Sequence, residues 1–529
     1  MPLLSDAYGL LRFASGLPKF VAAPLSTEAA QAYIRKRIAS RPAAFLDMIT
    51  RAVFANPTSP YLKLFRAAGC ELGDVRQLVE AEGVEGTLQA LLRAGVYTTF
   101  EEFKGLAPAV RGSQKFAFRA DEFDNPLITT HYASNSGGTR ARATRVNIDL
   151  EHIAQSAPSW AVWFAAHEWL DRPLVYWTPT HSGIVNGQLR CARFGKRVVK
   201  WFAIVGMGMT RDRLTAACVH RLARRAAGVP RPELVPLDEA WRVGEYLTGL
   251  ARNGPPPCIN TYASAAVRIC LAMRTRGISL RGVTFLLRGE PLTSTRREAI
   301  EASGAQAVQT YGFAEGGPVG AQCPTPAAPD DVHVFLDAFA VTHRARPVGD
   351  GEPVGALLLT ALRPAAPKIM LNTEIGDHGV LTARRCGCLF DAVGYGTHLH
   401  DIRSFEKLTG EGMTFVGADL VLVLEEVLPR RFGGTVADYQ LLEEQDARGL
   451  PRYALLVSPA VGTVDEKALV STFLGELGKL RSHYRFMTAL WARADILRVE
   501  RRQPVATGRG KILPFRPLGP DDRARANGA

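Results

Sequence analysis

The chain has 529 residues, of which 47% are hydrophobic and 22% charged, so it carries enough apolar material for a large folded core. This composition excludes a disordered or fibrous chain. No stretch approaches the roughly 18 uncharged apolar residues of a membrane helix. The N-terminus has no basic segment before its apolar residues, and it contains Asp6. We therefore expect no secretory signal, no membrane partner and a cytoplasmic location.

The formal net charge is +13, from 64 Lys and Arg against 51 Asp and Glu. The basic residues are scattered and alternate with apolar ones, as in residues 220–225, which is typical of a solvated helix face. This pattern favours an anionic small-molecule partner over nucleic acid. Eight cysteines, five of them isolated, do not indicate a disulfide framework.

Hydrophobic periodicity divides the chain into three parts. Residues 1–110 predict the helical N-terminal part of a large domain. Residues 111–403 alternate strand and helix patterns, which predicts an α/β core with mostly parallel sheets. Residues 404–529 predict a small, mobile α+β lid domain at the C-terminus. The fold class is therefore α/β, with a large N-terminal body and a small C-terminal lid.

Individual elements of the second and third parts can be placed by their apolar runs. The predicted strands are at 197–207, 282–287, 356–360, 438–444, 452–458 and 495–500. The predicted helices are at 210–227, 237–252 and 293–303, with a further lid helix that carries Leu469, Val470, Phe473, Leu474 and Leu477 on one face.

Residues 131–146 read HYASNSGGTRARATRV, in which hydroxyl side chains and glycines precede three arginines. Glycine lets backbone N–H groups approach an oxyanion, the hydroxyls of Ser136 and Thr139 add donors, and Arg140 neutralises charge. The segment predicts a phosphate-holding loop, although it lacks the GxxxxGK[ST] pattern. A polar surface turn with a basic flank is the alternative.

Residues 286–300 and 308–317 read LLRGEPLTSTRREAI and VQTYGFAEGG, and each begins with an apolar strand pattern. The ring of Tyr311 can stack on a base, and the carboxylate of Glu315 can hold Mg²⁺, a hard ion that prefers oxygen ligands. The pair of segments therefore predicts a nucleotide site with a divalent cation. An ordinary strand-to-loop turn with a buried tyrosine is the alternative.

Residues 372–381 read NTEIGDHGVL, with Asp377 between two glycines after an apolar stretch. An acidic residue in this position can accept hydrogen bonds from both hydroxyls of a ribose. An Asp that only stabilises a β-turn would give the same pattern.

Residues 505–515 read VATGRGKILPF and place Lys511 on a glycine-rich segment near the C-terminus. A lysine ammonium on such a segment suits developing negative charge at a phosphate or carboxylate. A disordered basic tail is the alternative.

In this order the segments resemble the adenylate-forming superfamily of acyl- and aryl-CoA ligases, adenylation domains and luciferases. Within the superfamily, the chain is most similar to the phenylacetate–CoA ligase branch. Arg403 and Gly412 stand where that family has its Arg-rich hinge and the glycine after it. The resemblance covers roughly residues 95–515.

The resemblance implies a role for each matched residue. The residues around ATP would be Ser136, Gly137, Gly138 and Thr139 at the β- and γ-phosphates, Gly289, Glu290, Pro291 and Tyr311 at the adenine, Asp377 at the ribose, and Arg403 at the ribose or a phosphate. Glu315 would hold Mg²⁺, and Lys511 would bridge the substrate carboxylate and the α-phosphate.

The sequence departs from the family pattern in three places. The phosphate loop has Arg140 and Ala141 where a second glycine and then a lysine are usual, and an arginine can replace the charge of that lysine. Ala314 replaces a threonine that usually lies near the phosphate, and the hinge Asp is replaced by Phe405 with Glu406 beside it. These changes indicate a divergent member that keeps the chemistry.

Cys386 and Cys388 form a Cys-x-Cys pair, and Cys323 and His333 lie earlier in the chain. Three thiolates and an imidazole form an ordinary tetrahedral zinc set. The resemblance implies such a metal in some members of the branch. Three reduced, packed cysteines are the alternative.

The sequence predicts an AMP-forming acid–thiol ligase that uses ATP and Mg²⁺. It would convert a carboxylic acid, of the aryl or a related small class, to an acyl-adenylate with release of pyrophosphate, and then transfer the acyl group to coenzyme A. Transfer to an amine, a carrier-protein thiol or a protein cysteine is the alternative, and a nucleotide-binding protein without chemistry is a third interpretation. The retention of Glu315 and Lys511 argues against the last of these.

An acid pocket would be lined by apolar residues between about 175 and 320, or these residues are ordinary core. The candidates are Trp177, Phe202, Met207, Met209, Tyr262 and Phe313.

Overall fold

The computed structural model describes twelve segments of the chain. They are residues 2–22, 24–135, 144–180, 182–204, 211–346, 354–404, 407–410, 413–435, 438–446, 450–480, 484–505 and 515–516.

Helices dominate the first hundred residues and then alternate with strands. The α-helices are α1 (Pro2–Ala22), α2 (Thr27–Ala39), α3 (Arg41–Met48), α4 (Pro60–Ala67), α5 (Leu72–Arg93), α6 (Phe100–Phe103), α7 (Leu150–Ala166), α8 (Ser182–Ala192), α9 (Arg211–Ala227), α10 (Ala240–Asn253), α11 (Ala263–Thr275), α12 (Ser294–Glu301), α13 (Leu389–Ala392), α14 (Gly417–Leu422), α15 (Leu428–Phe432), α16 (Glu466–Leu480) and α17 (Tyr484–Ala494). Short π-helical turns follow α3 and α14, and 3₁₀ turns lie at Leu237–Glu239 and Pro459–Val461.

The strands begin at residue 109. They are β1 (Ala109–Arg111), β2 (Gln114–Phe116), β3 (Tyr132–Asn135), β4 (Arg145–Ile148), β5 (Leu174–Thr178), β6 (Val198–Ala203), β7 (Pro232–Leu234), β8 (Cys258–Thr261), β9 (Thr284–Leu287), β10 (Gln306–Phe313), β11 (Gly317–Ala321), β12 (Val332–Val334), β13 (Phe339–Arg346), β14 (Val354–Ala361), β15 (Thr373–Ala383), β16 (Thr397–Ser404), β17 (Lys407–Gly410), β18 (Met413–Val416), β19 (Tyr439–Gln445), β20 (Pro451–Val457), β21 (Leu497–Glu500) and β22 (Phe515–Arg516).

Within the described segments, the body is built on one twelve-stranded sheet, in the order β13-β14-β15-β16-β12-β11-β10-β9-β8-β5-β6-β7. The strands from β10 to β7 pair in parallel. The strands from β13 to β10 pair antiparallel. Strand β10 thus joins a parallel half to an antiparallel half.

Helices cover both faces of the parallel half, which is why its strands are apolar throughout. Leu174 and Tyr176 of β5 pack in a core with residues of α7, α8 and α9. Val175 and Trp177, which alternate with them, pack in a second core with residues of α10 and α11. The alternation follows from the period of two in a strand, and it gives a layered α/β/α body.

The C-terminal part has a separate hydrophobic core. Its four-stranded sheet has the order β21-β20-β19-β22, and α16 and α17 pack on it. Trp491 of α17 stacks on Tyr453 of β20 with ring centroids 4.3 Å apart, and both side chains are fully buried. The residues of this core run from Leu420 to Leu497, with Phe515 against it.

The predicted α/β body with a small α+β C-terminal unit is confirmed. Every predicted strand overlaps a strand of the structure, and the helices at 210–227, 237–252 and 293–303 correspond to α9, α10 and α12. The antiparallel half of the large sheet was not predicted. Among the described residues, no helix has the length and apolar character that a membrane crossing needs.

One buried ion pair offers a test of the body's core. Arg363 Nη2 lies 2.7 Å from Asp337 Oδ2, and the two side chains are only 5% and 0% exposed. Replacing Arg363→Met leaves the carboxylate buried without its cation, so we expect the free energy of unfolding to fall by about 3–5 kcal/mol. Urea denaturation measures this change.

The matched control is Arg430→Met, because Arg430 forms an exposed pair with Glu426 at 3.1 Å. An exposed pair of this kind contributes less than about 1 kcal/mol. Equal effects of the two variants would contradict the assignment of the Arg363 pair to the core.

Candidate active site

The predicted nucleotide segments meet at the carboxyl ends of β9 and β10. The two strands are parallel neighbours, with Gln309 in register with Leu287. The Thr310 hydroxyl donates to the Leu287 carbonyl at 2.8 Å, and the Gln309 amide donates to the Glu290 carbonyl at 3.2 Å. These bonds join the strand that leads to Tyr311 to the loop that holds residues 289–291. In open α/β sheets, ligands bind at such strand ends.

The loop after β9 is shaped by Gly289 and held by Glu290. Gly289 has φ +73°, and a Cβ there would lie 3.1 Å from the ring of Tyr262, so glycine is needed on both grounds. The fully buried Glu290 carboxylate accepts hydrogen bonds from Ser264 N at 2.8 Å and Ser264 Oγ at 2.9 Å. Arg296 lies 3.4 Å from the same carboxylate and donates to the Pro291 carbonyl at 2.8 Å. The side chain of Glu290 therefore fixes the loop.

Tyr311 and Asp377, from separate predicted segments, are in direct contact. The Tyr311 hydroxyl donates to Asp377 Oδ2 at 3.0 Å. Burial raises the pKa of Tyr311 well above its ordinary value, and the Asp377 carboxylate raises it further, so the phenol stays protonated. Asp377 belongs to β15, an extended strand, and not to the turn considered as its alternative. The structure thus brings together the residues expected at the base and at the ribose.

Arg403 lies on β16, where it is in register with His378, the neighbour of Asp377. Its guanidinium donates to Asp330 Oδ2 at 2.7 Å and to its neighbouring carbonyl at 2.6 Å. Asp330 is almost fully buried and also accepts from the backbone N–H groups of Asp401 and Ile402, both at 3.0 Å. Strand pairing therefore places Arg403 next to Asp377, but the guanidinium of Arg403 is bound to Asp330 and not to Asp377.

Glu315 lies in the turn between β10 and β11 and is 7% exposed. Its carboxylate contacts the ammonium of Lys104, which also donates to Thr144 Oγ1 at 2.8 Å. Burial acts to raise the pKa of Glu315, but the charge and hydrogen bond of Lys104 outweigh it and hold that pKa below its ordinary value. An ionised oxygen donor fits Mg²⁺, provided that Lys104 yields its place.

The turn itself depends on a close backbone approach. A Cβ at Gly312 would lie 2.7 Å from the Gly317 carbonyl oxygen, and the strand register shifts between Tyr311 and Gly312. Only glycine fits there, and the resulting bulge sets the direction in which Glu315 leaves the strand.

Some predicted residues lie outside the described residues. They are Ser136, Gly137, Gly138, Thr139, Arg140, Ala141, Met207, Met209, Phe405, Glu406, Gly412 and Lys511. Their predicted roles stay predictions.

The apolar candidates for an acid pocket are divided. Trp177, Phe202 and Tyr262 are at most 6% exposed and belong to the core between the sheet and α10–α11, which favours the packing alternative for them. Phe313 is half-buried and packs on Phe339 with ring centroids 6.2 Å apart.

The four predicted zinc ligands converge in space. The ligand atoms of Cys323, His333, Cys386 and Cys388 all lie within 4.8 Å of one another. His333 Nε2 is 3.3 Å from Cys386 Sγ and 3.4 Å from Cys388 Sγ, and the Cys323 and Cys386 sulfurs are 4.0 Å apart. A tetrahedral zinc site places its ligands about 3.5–3.8 Å apart, so the donor set and the spacing fit the metal.

Two further details match a metal site. His333 Nδ1 lies 2.6 Å from the Tyr395 carbonyl, which makes Nδ1 the protonated nitrogen and directs the Nε2 lone pair at the sulfurs. Hydrogen bonding with Cys388 lowers the pKa of the Cys323 thiol well below its ordinary value, and the same contact raises the pKa of Cys388. The four donors are therefore three sulfurs and one imidazole nitrogen, a set that zinc accepts.

Gln322, next to Cys323, connects the cysteine cluster to the strand ends. Its side-chain oxygen accepts from Gln309 N at 3.3 Å, and Gln309 in turn contacts the Glu290 carbonyl. Its carbonyl accepts from Trp163 Nε1 at 2.8 Å and from His167 Nε2 at 2.9 Å.

Sequence reasoning missed Lys104, Thr144, Asp330 and Gln322. None of them belongs to a recognisable motif, and the contacts of Lys104 with Glu315 and of Asp330 with Arg403 span 211 and 73 residues. A lysine that ends a short helix carries no sequence signal for a buried carboxylate.

No protein-family model matches the chain, and no curated protein matches it either. Among solved structures, it is similar to a 2-hydroxyisobutyryl-CoA ligase in complex with 2-HIB-AMP and CoA, with TM-score 0.54 and 14% identity over 93% of this chain and 92% of that chain. An amide bond synthetase from Marinactinospora thermotolerans has TM-score 0.39 and 13% identity over 93% of this chain and 94% of that chain. An anthranilate CoA ligase has TM-score 0.35 and 12% identity over 78% of this chain and 69% of that chain.

The similarity to the first of these structures extends over nearly the whole of both chains. The protein therefore has the fold of this CoA ligase, as expected from the resemblance found in its sequence. Gly289, Glu290 and Pro291 follow β9, and Tyr311 lies near the end of β10, and their roles toward a nucleotide stay predictions.

The contact between His167 and Gln322 gives a pH prediction. Burial lowers the pKa of His167 from 6.5 to about 4, so the ring is neutral in the folded protein where the unfolded chain is protonated. Stability from His167 is fully present above pH 6.5 and is lost as the pH falls towards about 4. The loss is on the order of 3 kcal/mol.

The variant His167→Gln keeps a donor for the Gln322 carbonyl but cannot titrate. We expect its free energy of unfolding, measured by urea denaturation, to fall less steeply than that of the wild type between pH 6.5 and 4. Parallel pH profiles for the two proteins would contradict the assignment.

Proposed function

We propose that the protein activates a carboxylic acid with ATP as an acyl-adenylate, releases pyrophosphate and transfers the acyl group to coenzyme A. The observation that carries this proposal is the contact of Tyr311 with Asp377 beside the turn of Glu315, at the strand ends of a fold shared with a CoA ligase. That ligase is described as a complex with an acyl-AMP and CoA. A nucleotide site at this edge of the sheet follows the general rule for α/β folds.

Each residue then has a task that its chemistry suits. Tyr311 supplies an aromatic face for the adenine. Asp377 accepts hydrogen bonds from the ribose hydroxyls, either beside the hydrogen bond from the Tyr311 hydroxyl or in its place. Glu315 would hold Mg²⁺, which neutralises charge on the phosphates when it is bound. Attack of the substrate carboxylate on the α-phosphorus builds negative charge that Lys511 is expected to stabilise.

Residues 136–139 are proposed to wrap the β- and γ-phosphates, and the loop at 289–291 to line the adenine. The loop offers its backbone for this purpose, since the Glu290 carboxylate is engaged by Ser264 and Arg296. Arg403 is proposed to reach the ribose or a phosphate by leaving Asp330.

The acid is proposed to be an aryl acid or a related small acid, and the acceptor to be coenzyme A. An amine, a carrier-protein thiol or a protein cysteine is the second candidate, because every described residue of the site serves the adenylation step and none selects the acceptor. The division into residues 1–110, 111–403 and 404–529, with the last part as a lid, belongs to the same proposal. So do a cytoplasmic location and a small-molecule partner.

We also propose that Cys323, His333, Cys386 and Cys388 bind one structural zinc ion. The donor set, the spacing and the fixed orientation of His333 support this. Bound zinc would cross-link the segment after β11 to the segment between β15 and β16.

Pyrophosphate exchange tests the adenylation. With labelled pyrophosphate and a panel of aryl, alicyclic and fatty acids, we expect acid-dependent label in ATP for a subset of the acids, without any acceptor. Lys511→Ala should lower this exchange by about 100-fold or more, because a charge-stabilising contact is lost in the transition state. ATP binding, measured by calorimetry, should persist in the variant.

The matched control is Lys467→Ala, since Lys467 is an exposed lysine on the first turn of α16. Its exchange rate should equal that of the wild type. Exchange with no acid in the panel despite ATP binding, or full exchange by the Lys511 variant, would contradict the proposal.

Metal analysis tests the cysteine cluster. Purified protein should contain about one zinc per chain, and Cys386→Ser with Cys388→Ser should remove it, because two of four ligands are lost. Cys218→Ser is the control, since Cys218 is an exposed free cysteine outside the cluster. Protein purified without added chelator that contains no zinc would identify the cluster as packed thiols.

A further inference from the structure

Lys104 brings a buried ammonium to the carboxylate that the proposed chemistry assigns to magnesium. It follows α6 directly, and its side chain and that of Glu315 are each 9% exposed. Its ammonium contacts Glu315 Oε1 and donates to Thr144 Oγ1 at 2.8 Å. The rings of Phe100 and Phe103 lie 5.7 and 5.8 Å from the same nitrogen. The ammonium is thus held between aromatic faces and oxygen acceptors.

The second acceptor of the Lys104 ammonium, Thr144, shows which part of the chain lies next to it. Thr144 is the first described residue after the segment 136–143, the hydroxyl- and glycine-rich loop that is proposed to hold the β- and γ-phosphates. That loop contains arginines but no lysine. Lys104 therefore supplies an ammonium between Thr144 and Glu315 from a distant part of the chain.

This arrangement conflicts with a magnesium ion on Glu315 as long as Lys104 stays in place. An ammonium and a divalent cation on one buried carboxylate repel each other strongly, because the surroundings screen charge poorly. An ammonium on a flexible four-carbon stem can move by a few ångströms to another oxygen acceptor. The nearest anionic group expected there is a phosphate of the nucleotide.

We propose that Lys104 is a phosphate-binding residue for a nucleoside triphosphate. In the nucleotide-free protein its ammonium neutralises Glu315. When the nucleotide binds with magnesium, the ammonium leaves Glu315 for an oxygen of the β- or γ-phosphate, and the carboxylate becomes available to the metal. No covalent bond changes in this exchange. The role depends on the nucleotide site proposed above.

Calorimetry with ATP and with AMP, in EDTA and in MgCl₂, tests this role without requiring turnover. Lys104→Met keeps most of the apolar stem and removes the charge. In EDTA we expect ATP to bind the variant at least about tenfold more weakly, since a charge-assisted hydrogen bond is lost and Glu315 repels the phosphates. AMP lacks the β- and γ-phosphates, so its affinity should not change.

A second pair of variants separates phosphate binding from a structural ion pair. Glu315→Gln releases the ammonium of Lys104, so it should tighten ATP binding in EDTA and remove the gain that MgCl₂ gives to the wild type. The double variant Lys104→Met/Glu315→Gln is neutral at this position, which protects its fold, and it should lose the tightening. Lys115→Met is the control, because Lys115 is exposed on β2, and it should bind ATP and AMP like the wild type.

Three results would overturn the role. The first is unchanged ATP affinity of Lys104→Met in EDTA, and the second is an equal loss of ATP and AMP affinity, which marks a structural contact. The third is a wild type that binds neither nucleotide, and this result alone also refutes the proposed function. Thermal unfolding of each variant identifies any that fail to fold, and the neutral double variant then decides the outcome.

Discussion

The candidate site depends on the two different pairings of β10. This strand is parallel to β9 on one side and antiparallel to β11 on the other. The parallel pairing aligns Tyr311 with the loop after β9, because parallel strands end at the same edge of the sheet. The antiparallel pairing turns the chain back at once and leaves Glu315 in the connecting turn. One strand therefore relates the loop at residues 289–291, the ring of Tyr311 and the carboxylate of Glu315 to one another.

The acidic residues of the site are held by partners, as burial requires. Glu290 is neutralised by Arg296, Glu315 by Lys104 and Asp330 by Arg403. A buried carboxylate without a partner would cost several kcal/mol. If a nucleotide binds here as proposed, it exchanges partners with this network, because its anionic phosphates attract the cations that the carboxylates release. Glu290 is not expected to exchange its partners, because its contacts with Ser264 and Arg296 fix the loop at residues 289–291.

Local sequence patterns predicted the helices and strands well, but they predicted the contacts between distant segments of the chain poorly. Periodicity placed the strands that became β9 and β20, because each has a run of apolar residues between turn signals. It failed to show that β10 carries an antiparallel half, since strand direction leaves no mark on a short apolar run. The glycines around Asp377 made a β-turn the alternative for this residue, but cross-strand pairing keeps it extended in β15. Lys104 gave no signal at all, because its contact with Glu315 spans 211 residues.

The hairpin β10–β11 links the two chemically distinct clusters. Its turn holds Glu315, and the chain that leaves β11 reaches Gln322 and then Cys323 of the cysteine cluster. Gln322 bonds back to Gln309 of β10, so the open end of the hairpin is fixed to the strand that carries Tyr311. The zinc ion proposed above would restrain this open end at Cys323, and the ladder of backbone bonds would carry that restraint to the turn. With the ion bound, the cysteine cluster would support the geometry of the site without contributing a group to its chemistry.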